Sequence, residues 1–197
     1  AQEATELVRE FASQLIFDHS RRVFIFGALR GEQDGISYDP ELLYVGAMFH
    51  ALGLTEEYRR TDQRFEIDGA DEARRFLLSH GITEDAAEKV WNAIALHTTP
   101  EIPLHMAAEV ALVTRGVEHD VLGLGYDTIT EEQRAEIVAA HPRPDFKNQI
   151  LAAFTDGIKD RPETTFGNVK ADVLEHFVPG FERGDFVEVI RGNKWPE

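Results

Sequence analysis

Residues 42–50 read Leu-Leu-Tyr-Val-Gly-Ala-Met-Phe-His, and this stretch decides how the chain folds. Asp39 and Pro40 stand before it as a helix N-cap and a first helical residue, and Gly53 follows it. Every residue before the histidine is apolar or small, so a helix here would be buried along its length. The stretch therefore predicts a core helix that ends on a buried histidine, His50.

The segments around this helix are also helical in their spacing of apolar residues. The run from Leu7 to Ile16 has the pattern of one helix face and predicts a single helix. Only residues 23–26, Val-Phe-Ile-Phe, would also suit a strand, and we predict a helix because no second strand is available to pair with them. Further helices are predicted from near Gly69 to Gly81, from Thr83 to near His97, from Leu104 to Arg115 with Gly116 as the stop, from a capping box at Thr130 to Pro142, and at 146–158, 166–177 and 186–190.

These elements predict a compact all-α bundle of about eight or nine helices. We expect one domain over residues 1–197, with the motifs concentrated in 11–125 and additional helices in 130–191. The length of 197 residues and a hydrophobic fraction of 43% suit one core of this kind.

The composition limits the partners of the protein. Asp and Glu number 36 against 20 Lys and Arg, and the formal net charge of −16 disfavours nucleic acid and membrane surfaces. There is no cysteine, which excludes disulfides, thiolate nucleophiles and iron–sulfur clusters. We expect a cytoplasmic protein that acts on a small molecule through His, Asp, Glu or a metal, and the sequence leaves homo-oligomerisation open.

Three of the eight histidines, His19, His50 and His97, lie on helices otherwise given to the core. A buried imidazole needs a hydrogen bond or a metal for its nitrogens, and each of these histidines taken singly is explained by hydrogen bonding. Together with Asp120 they form a different pattern, because imidazole and carboxylate are the ligands of Zn, Fe or Mn where thiolates are absent.

The order of these residues resembles the HD-domain metalloenzyme superfamily, whose pattern is a histidine, a distant His-Asp pair and a final aspartate. The chain has Asp-His-Ser at 18–20, the 42–50 stretch, and Gly-Val-Glu-His-Asp-Val-Leu-Gly at 116–123. The segments Phe-Glu-Ile-Asp-Gly-Ala-Asp-Glu-Ala at 65–73 and Ala-Ile-Ala-Leu-His-Thr at 93–98 resemble the cyanamide hydratase-like branch. This resemblance implies a divalent metal, zinc first with iron or manganese as alternatives, held by His19, His50 and Asp120.

The chain departs from the superfamily pattern at Ala51, where the paired aspartate is expected. Alanine has no donor atom, so one of four expected ligands is missing, and we expect weaker metal binding and very low activity. Either the aspartate has been replaced to abolish activity or trap a ligand, or the chain is a natural variant. The retention of the flanking signature favours replacement.

The resemblance implies the addition of water to a carbon–nitrogen triple bond, as in the conversion of cyanamide to urea. We expect His97 to donate a proton or orient the substrate, and Thr98 to contribute a hydrogen bond. Phe24, Phe49 and Phe65 are candidates for the wall of a small apolar pocket.

Two other functions are compatible with the sequence. Many HD-domain proteins are phosphohydrolases, and such a site would need cations for the phosphate. The candidates are Arg21, Arg22, Arg59, Arg60 and Arg64, although arginines of an acidic protein more often pair with carboxylates. A non-catalytic helical binding protein is the third reading, and Ala51 supports it. A small apolar pocket would favour the hydratase, an arginine-lined cleft the phosphohydrolase, and a packed-over site the scaffold.

Overall fold

A computed structural model describes residues 1–60 and 62–195, and these residues form ten α-helices and no strand. The predicted all-α fold is confirmed, with one or two more helices than predicted. The helices are α1 (Gln2–Phe11), α2 (Gln14–Gln33), α3 (Pro40–Phe49), α4 (Phe65–Ser79), α5 (Glu84–Leu96), α6 (Ala108–Val117), α7 (Glu131–Ala140), α8 (Phe146–Ile158), α9 (Lys170–Phe177) and α10 (Phe186–Arg191). Short 3₁₀ turns join several of them, and no helix in this described part is long and apolar enough to cross a bilayer.

The helix ends that depend on local capping follow the prediction. The side chain of Asp39 accepts hydrogen bonds from the first turn of α3, and that of Thr83 from the first turn of α5. Thr130 and Gln133 form the predicted capping box. Gly81 follows α4 with a φ of 76°, the left-handed conformation that glycine adopts without strain.

The single helix predicted from Leu7 to Ile16 is wrong. Ala12 is extended, with φ −96° and ψ 152°, and Ser13 caps a new helix by accepting a hydrogen bond from the Ile16 amide at 3.3 Å. The apolar spacing continues across the break because Val8 of α1 and Ile16 of α2 are both buried. Three other starts also differ from the prediction: α4 begins at residue 65 and α9 at residue 170. The helix predicted from Leu104 begins only at Ala108, because residues 102–105 form a separate 3₁₀ turn.

The prediction that Gly116 ends α6 is wrong. Gly116 lies inside α6, at the point where this helix crosses α2. A Cβ at Gly116 would lie 2.2 Å from the Val23 carbonyl oxygen, and one at Gly27 would lie 2.6 Å from the Leu112 carbonyl oxygen. The two glycines therefore allow the backbones of α2 and α6 to touch. The chain continues from α6 into a π-turn, Glu118–Leu122. Close packing of these helices brings the π-turn against the first half of α2.

A fully buried guanidinium joins the C-terminal helices to the rest of the fold. Arg161, just beyond α8, donates to the carbonyl oxygens of Gly157 and Gly53 at 3.0 and 2.9 Å, and forms an ion pair with buried Asp68 of α4. Gly53 lies in the 3₁₀ turn that follows Ala51. Arg161 thereby fixes the chain on the C-terminal side of the predicted metal-binding helix.

We expect Gly116→Ala to lower the free energy of unfolding by roughly 1–3 kcal/mol, because a backbone carbonyl cannot move away from the new methyl group. Gly46→Ala is the matched control, since its nearest atom is a methyl carbon of Val113 at 2.9 Å, a side chain that can adjust. The gain in helix propensity on replacing glycine, up to ~1 kcal/mol, offsets part of the cost at both sites. Urea denaturation measures both variants, and equal losses would contradict the backbone contact.

Candidate functional site

Three buried imidazoles meet where α2, α3 and α5 converge. His19 lies in the second turn of α2, and His50 and His97 are the residues directly after α3 and α5. The ring centroids of His19 and His50 are 4.8 Å apart, and those of His50 and His97 are 4.9 Å apart. The fold thus gathers the three histidines that the sequence singles out.

His50 and His97 have the same local arrangement. The Nδ1 of His50 donates to the Ala47 carbonyl oxygen at 2.7 Å, and the Nδ1 of His97 donates to the Ile94 carbonyl oxygen at 2.6 Å. In a neutral ring this leaves the Nε2 of each histidine with a lone pair. Burial lowers the pKa of His50 well below its usual value and that of His97 to about 4, so both rings are neutral near pH 7.

His19 is oriented by a carboxylate rather than a carbonyl. Its Nδ1 lies 2.7 Å from Oδ2 of Asp120, which also accepts from Nη2 of Arg22, while Oδ1 accepts from Nε of Arg22, both at 2.9 Å. Arg143 forms a further ion pair with Asp120 at 3.0 Å. Burial would raise the pKa of Asp120, but His19 and Arg22 hold it well below its usual range. Asp120 is therefore an ionised carboxylate in the core.

The Nε2 atoms of His19 and His50 face each other at 3.0 Å. Two lone pairs at this distance repel unless a proton or a cation lies between them. Two imidazoles that share a tetrahedral zinc at ~2.0–2.1 Å have nitrogens roughly 3.3 Å apart. Their Nδ1 partners are also of the kind that orients metal-bound histidines. The two nitrogens therefore fit the metal that the sequence predicts at this place.

The two carboxylate ligands expected for this metal fit less well than the two imidazoles. Ala51 lies at the site, buried, with no donor atom. Both oxygens of Asp120 are taken by His19 and Arg22, on the Nδ1 side of His19. Within residues 1–60 and 62–195, no three His, Asp or Glu side chains form a group that could hold a metal ion. The residues present thus fit a metal held weakly through two imidazoles, and Asp120 as a direct ligand remains a prediction.

A buried ion pair that sequence reasoning missed lies beside His97. The Nζ of Lys170, from α9, donates to Oε1 of Glu66 in α4, and both side chains are inaccessible to solvent. Thr98 and Arg64 donate to the same oxygen, whereas Oε2 is buried without a hydrogen-bond partner among the described residues. Glu66 belongs to the 65–73 segment that carries the family resemblance, but no local signal connects it to Lys170, 104 residues away.

The pKa values of both members of this pair are lowered, for different reasons. Burial would raise the pKa of Glu66, but Lys170 and Arg64 hold it at about 2. Burial lowers the pKa of Lys170 to about 8, and the attraction of Glu66 only partly offsets that effect. Near pH 7 the pair is ionised, with an ammonium that can part with its proton more readily than an exposed lysine.

A cavity of about 240 Å³, which we call the histidine cavity, opens onto these groups. His19, His50 and His97 form its floor together with Ala51, and its polar wall includes Thr98 and Lys170. Most of the remaining lining is apolar, namely Leu54, Phe65, Val121, Ile150, Phe154 and Val173. Phe65 therefore lines the pocket as predicted, whereas Phe24 and Phe49 pack in the core and do not reach it.

No arginine lines the histidine cavity in the described part of the chain. Of the five arginines considered for phosphate, Arg22 is committed to Asp120, and Arg64 to Glu66. Arg21 donates to the hydroxyl of Tyr44. These three arginines, and Arg59, which donates to the Asp156 carbonyl oxygen at 2.8 Å, thus have partners within the protein.

Comparison with known protein families agrees with this geometry. The family model described as HD domain matches residues 16–153, a span that contains the three histidines and Asp120. No protein of curated function matches the chain.

Removal of the carboxylate in Glu66→Gln should destabilise the protein by about 3 kcal/mol at pH 7, because it leaves Lys170 buried without its counter-charge. The pKa of Glu66 is lower in the folded than in the unfolded chain, so its contribution is complete above the unfolded value of 4.5. It is lost as the pH falls toward the folded value of about 2. Urea denaturation at pH 7 and pH 3.5 should therefore show a smaller difference at the lower pH.

Glu188→Gln is the control for this measurement, since Glu188 pairs with Arg191 at the surface and exposed pairs contribute less than ~1 kcal/mol. A difference between wild type and Glu66→Gln that stays constant from pH 7 to 3.5 would contradict an ionised Glu66 in the folded protein.

Proposed function

The chain belongs to the HD domain family, and from this premise we propose that its histidine cavity hydrates a compact, uncharged nitrile-type compound, as in the conversion of cyanamide to urea. Members of the family are mostly metal-dependent hydrolases, and they typically bind divalent metals. The observation that carries the narrower proposal is the cavity itself, which is small, largely apolar and without an arginine in its described lining. Its 240 Å³ lies below the ~300–1,000 Å³ of pockets for larger ligands.

A divalent metal held by His19 and His50 would lower the pKa of water and so supply hydroxide near neutral pH. Asp120 is the third ligand that the family resemblance implies, whereas in this structure both of its oxygens bind His19 and Arg22. Zinc is our first choice, with iron or manganese as alternatives, because imidazole ligands suit all three. Asp120 keeps His19 in the tautomer whose Nε2 can bind the metal. The apolar walls limit the access of bulk water to the reacting atoms.

We assign the proton transfers to His97 and Lys170. The Nδ1 proton of His97 is held by the Ile94 carbonyl, so Nε2 is an acceptor and can take a proton from the attacking water. This differs from the donor role that the sequence suggested for His97. The nitrogen of the nitrile gains negative charge as the carbon is attacked, and Lys170 is the cation in the cavity wall that can supply its proton. The proton that His97 took from the water then passes to Lys170, which restores both groups and the ion pair with Glu66. Thr98 completes the polar wall by binding Glu66.

The alternatives predict a different cavity. A phosphohydrolase is equally compatible with the family, but a phosphate group would meet an ammonium already paired with Glu66 and no guanidinium among the described lining residues. A scaffold without a ligand would be expected to close over its old site, whereas this one retains an accessible cavity.

Ala51→Asp tests the proposal, because it restores the missing carboxylate in the cavity floor beside His50. We expect the variant to bind metal at least about tenfold more tightly than the wild type, to retain a near-stoichiometric amount through purification, and to release urea from cyanamide. Elemental analysis and a urea assay are run on wild type, Ala51→Asp and Ala51→Asn. The Asn variant has the size of aspartate without its charge and should resemble the wild type.

Two results would count against the proposal in different ways. Metal without urea in Ala51→Asp would leave the metal site intact and remove the nitrile substrate. Absence of metal from all three proteins would mean that His19, His50 and Asp120 are not the ligands.

A further inference from the structure

A second cavity, of about 290 Å³, lies on the other side of the π-turn from the histidine cavity. We call it the arginine cavity. The C-terminal half of α2 and the end of α6 form its walls, and the loop that follows the π-turn covers it. Its lining comprises Phe26, Arg30, Gln33, Arg115, Glu118, His119, Leu124, Gly125, Thr128 and Ile129. Neither the family resemblance nor the proposed hydration uses this cavity.

Arg115 is the unusual member of this lining. It is only partly exposed, and its Nε is buried without a hydrogen-bond partner in the described part of the chain. In a protein with 36 acidic residues and a net charge of −16, a guanidinium near the core would be expected to find a carboxylate. Buried guanidinium nitrogens normally have acceptors. A ligand could therefore supply the hydrogen-bond acceptor that the Nε of Arg115 lacks.

A second cation lies near Arg115, and the loop that covers the cavity is held in place by a hydrogen bond. Arg30 uses its Nε for Asp34 at 2.8 Å, and its side chain also lines the cavity. Gln33 donates to the Thr128 carbonyl oxygen at 2.8 Å and so ties the covering loop to α2. These contacts give the cavity fixed walls with two guanidiniums.

The floor of the cavity is aromatic. Phe26 and His119 have ring centroids 4.2 Å apart. Glu118 is the one carboxylate in the described lining. The cavity therefore combines a cationic side with an apolar surface.

We propose that the arginine cavity binds a small organic oxyanion, with its phosphate or carboxylate group on Arg115 and Arg30 and its carbon skeleton against Phe26. Planar guanidinium groups bind such oxyanions through paired, charge-assisted hydrogen bonds. Glu118 opposes the anion, and because this side chain lines both cavities, charge bound in one is felt in the other. Support for this site comes from the residues of the arginine cavity and not from the chemistry proposed for the histidine cavity.

Inorganic phosphate is the probe, titrated at constant ionic strength into the full-length, ¹⁵N-labelled protein while backbone amide shifts are followed. We expect saturable shifts at Leu124, Gly125 and Thr128. Arg115→Gln should weaken phosphate binding at least about tenfold, since it removes a charged partner. Arg30→Gln should weaken it in the same direction and provides a second test if Arg115→Gln does not fold. Glu118→Gln should strengthen binding by removal of the opposing charge.

Arg191→Gln is the matched control, because it removes one positive charge, as Arg115→Gln does, from a surface pair with Glu188 that lines neither cavity, and it should leave phosphate affinity unchanged. The proposal is overturned if the wild type shows no saturable shifts, or if folded Arg115→Gln and Arg30→Gln bind phosphate as the wild type does. It is also overturned if the saturable shifts surround the histidine cavity instead, and that result would favour phosphohydrolysis there.

Discussion

The site depends on one buried carboxylate, that of Asp120, and on the cations that compensate it. An unpaired charge at this depth would be very unfavourable, and even a paired one gains little net stability. Here Arg22 contributes two hydrogen bonds and Arg143 a further ion pair. His19 lies one helical turn before Arg22 on α2, so the same helix that neutralises Asp120 also presents the imidazole that Asp120 orients.

The backbone makes this contact available. Gly27 and Gly116 let α2 and α6 approach until backbone atoms touch, and α6 then continues as a π-turn instead of ending. The wider π-turn changes which side of the helix its residues face, and Asp120, the middle residue of that turn, is directed inward. The packing of α2 against α6 therefore places Asp120 beside the Nδ1 of His19, and this hydrogen bond leaves the lone pair of His19 on Nε2.

Sequence reasoning succeeded where the information is local. Asp39 with Pro40, and Thr130 with Gln133, identify helix starts because a capping side chain and the amides it binds are neighbours in the chain. The three imidazoles were also found, since each follows or interrupts an apolar helical pattern.

The sequence does not predict the role of a residue whose contact partner lies far away in the chain. Gly116 is a helix terminator by local rules, but the carbonyl of Val23 makes it a contact residue. Lys170 has no signal in its own segment, and only the fold pairs it with Glu66. The break at Ser13 was hidden for a different reason, because two successive helices bury the same periodic face.

The two cavities on either side of the π-turn differ in how their cations are compensated. In the histidine cavity the ammonium of Lys170 is paired with Glu66. In the arginine cavity the Nε of Arg115 has no hydrogen-bond partner in the described structure. Glu118 lines both cavities, so the difference between them lies in their cations. Because burial weakens the screening between neighbouring charges, an acidic protein can keep an uncompensated guanidinium on one side of the π-turn and a compensated ammonium on the other.

The walls of the histidine cavity come from two parts of the chain, one inside the family match and one beyond it. The floor, with His19, His50 and His97, lies within the residues that match the family, 16–153. Phe154, Lys170 and Val173 lie beyond that match, yet they form the facing wall. The cavity is therefore complete only where α8 and α9 pack against the matched region, and Lys170, the proposed proton donor, is supplied from beyond it.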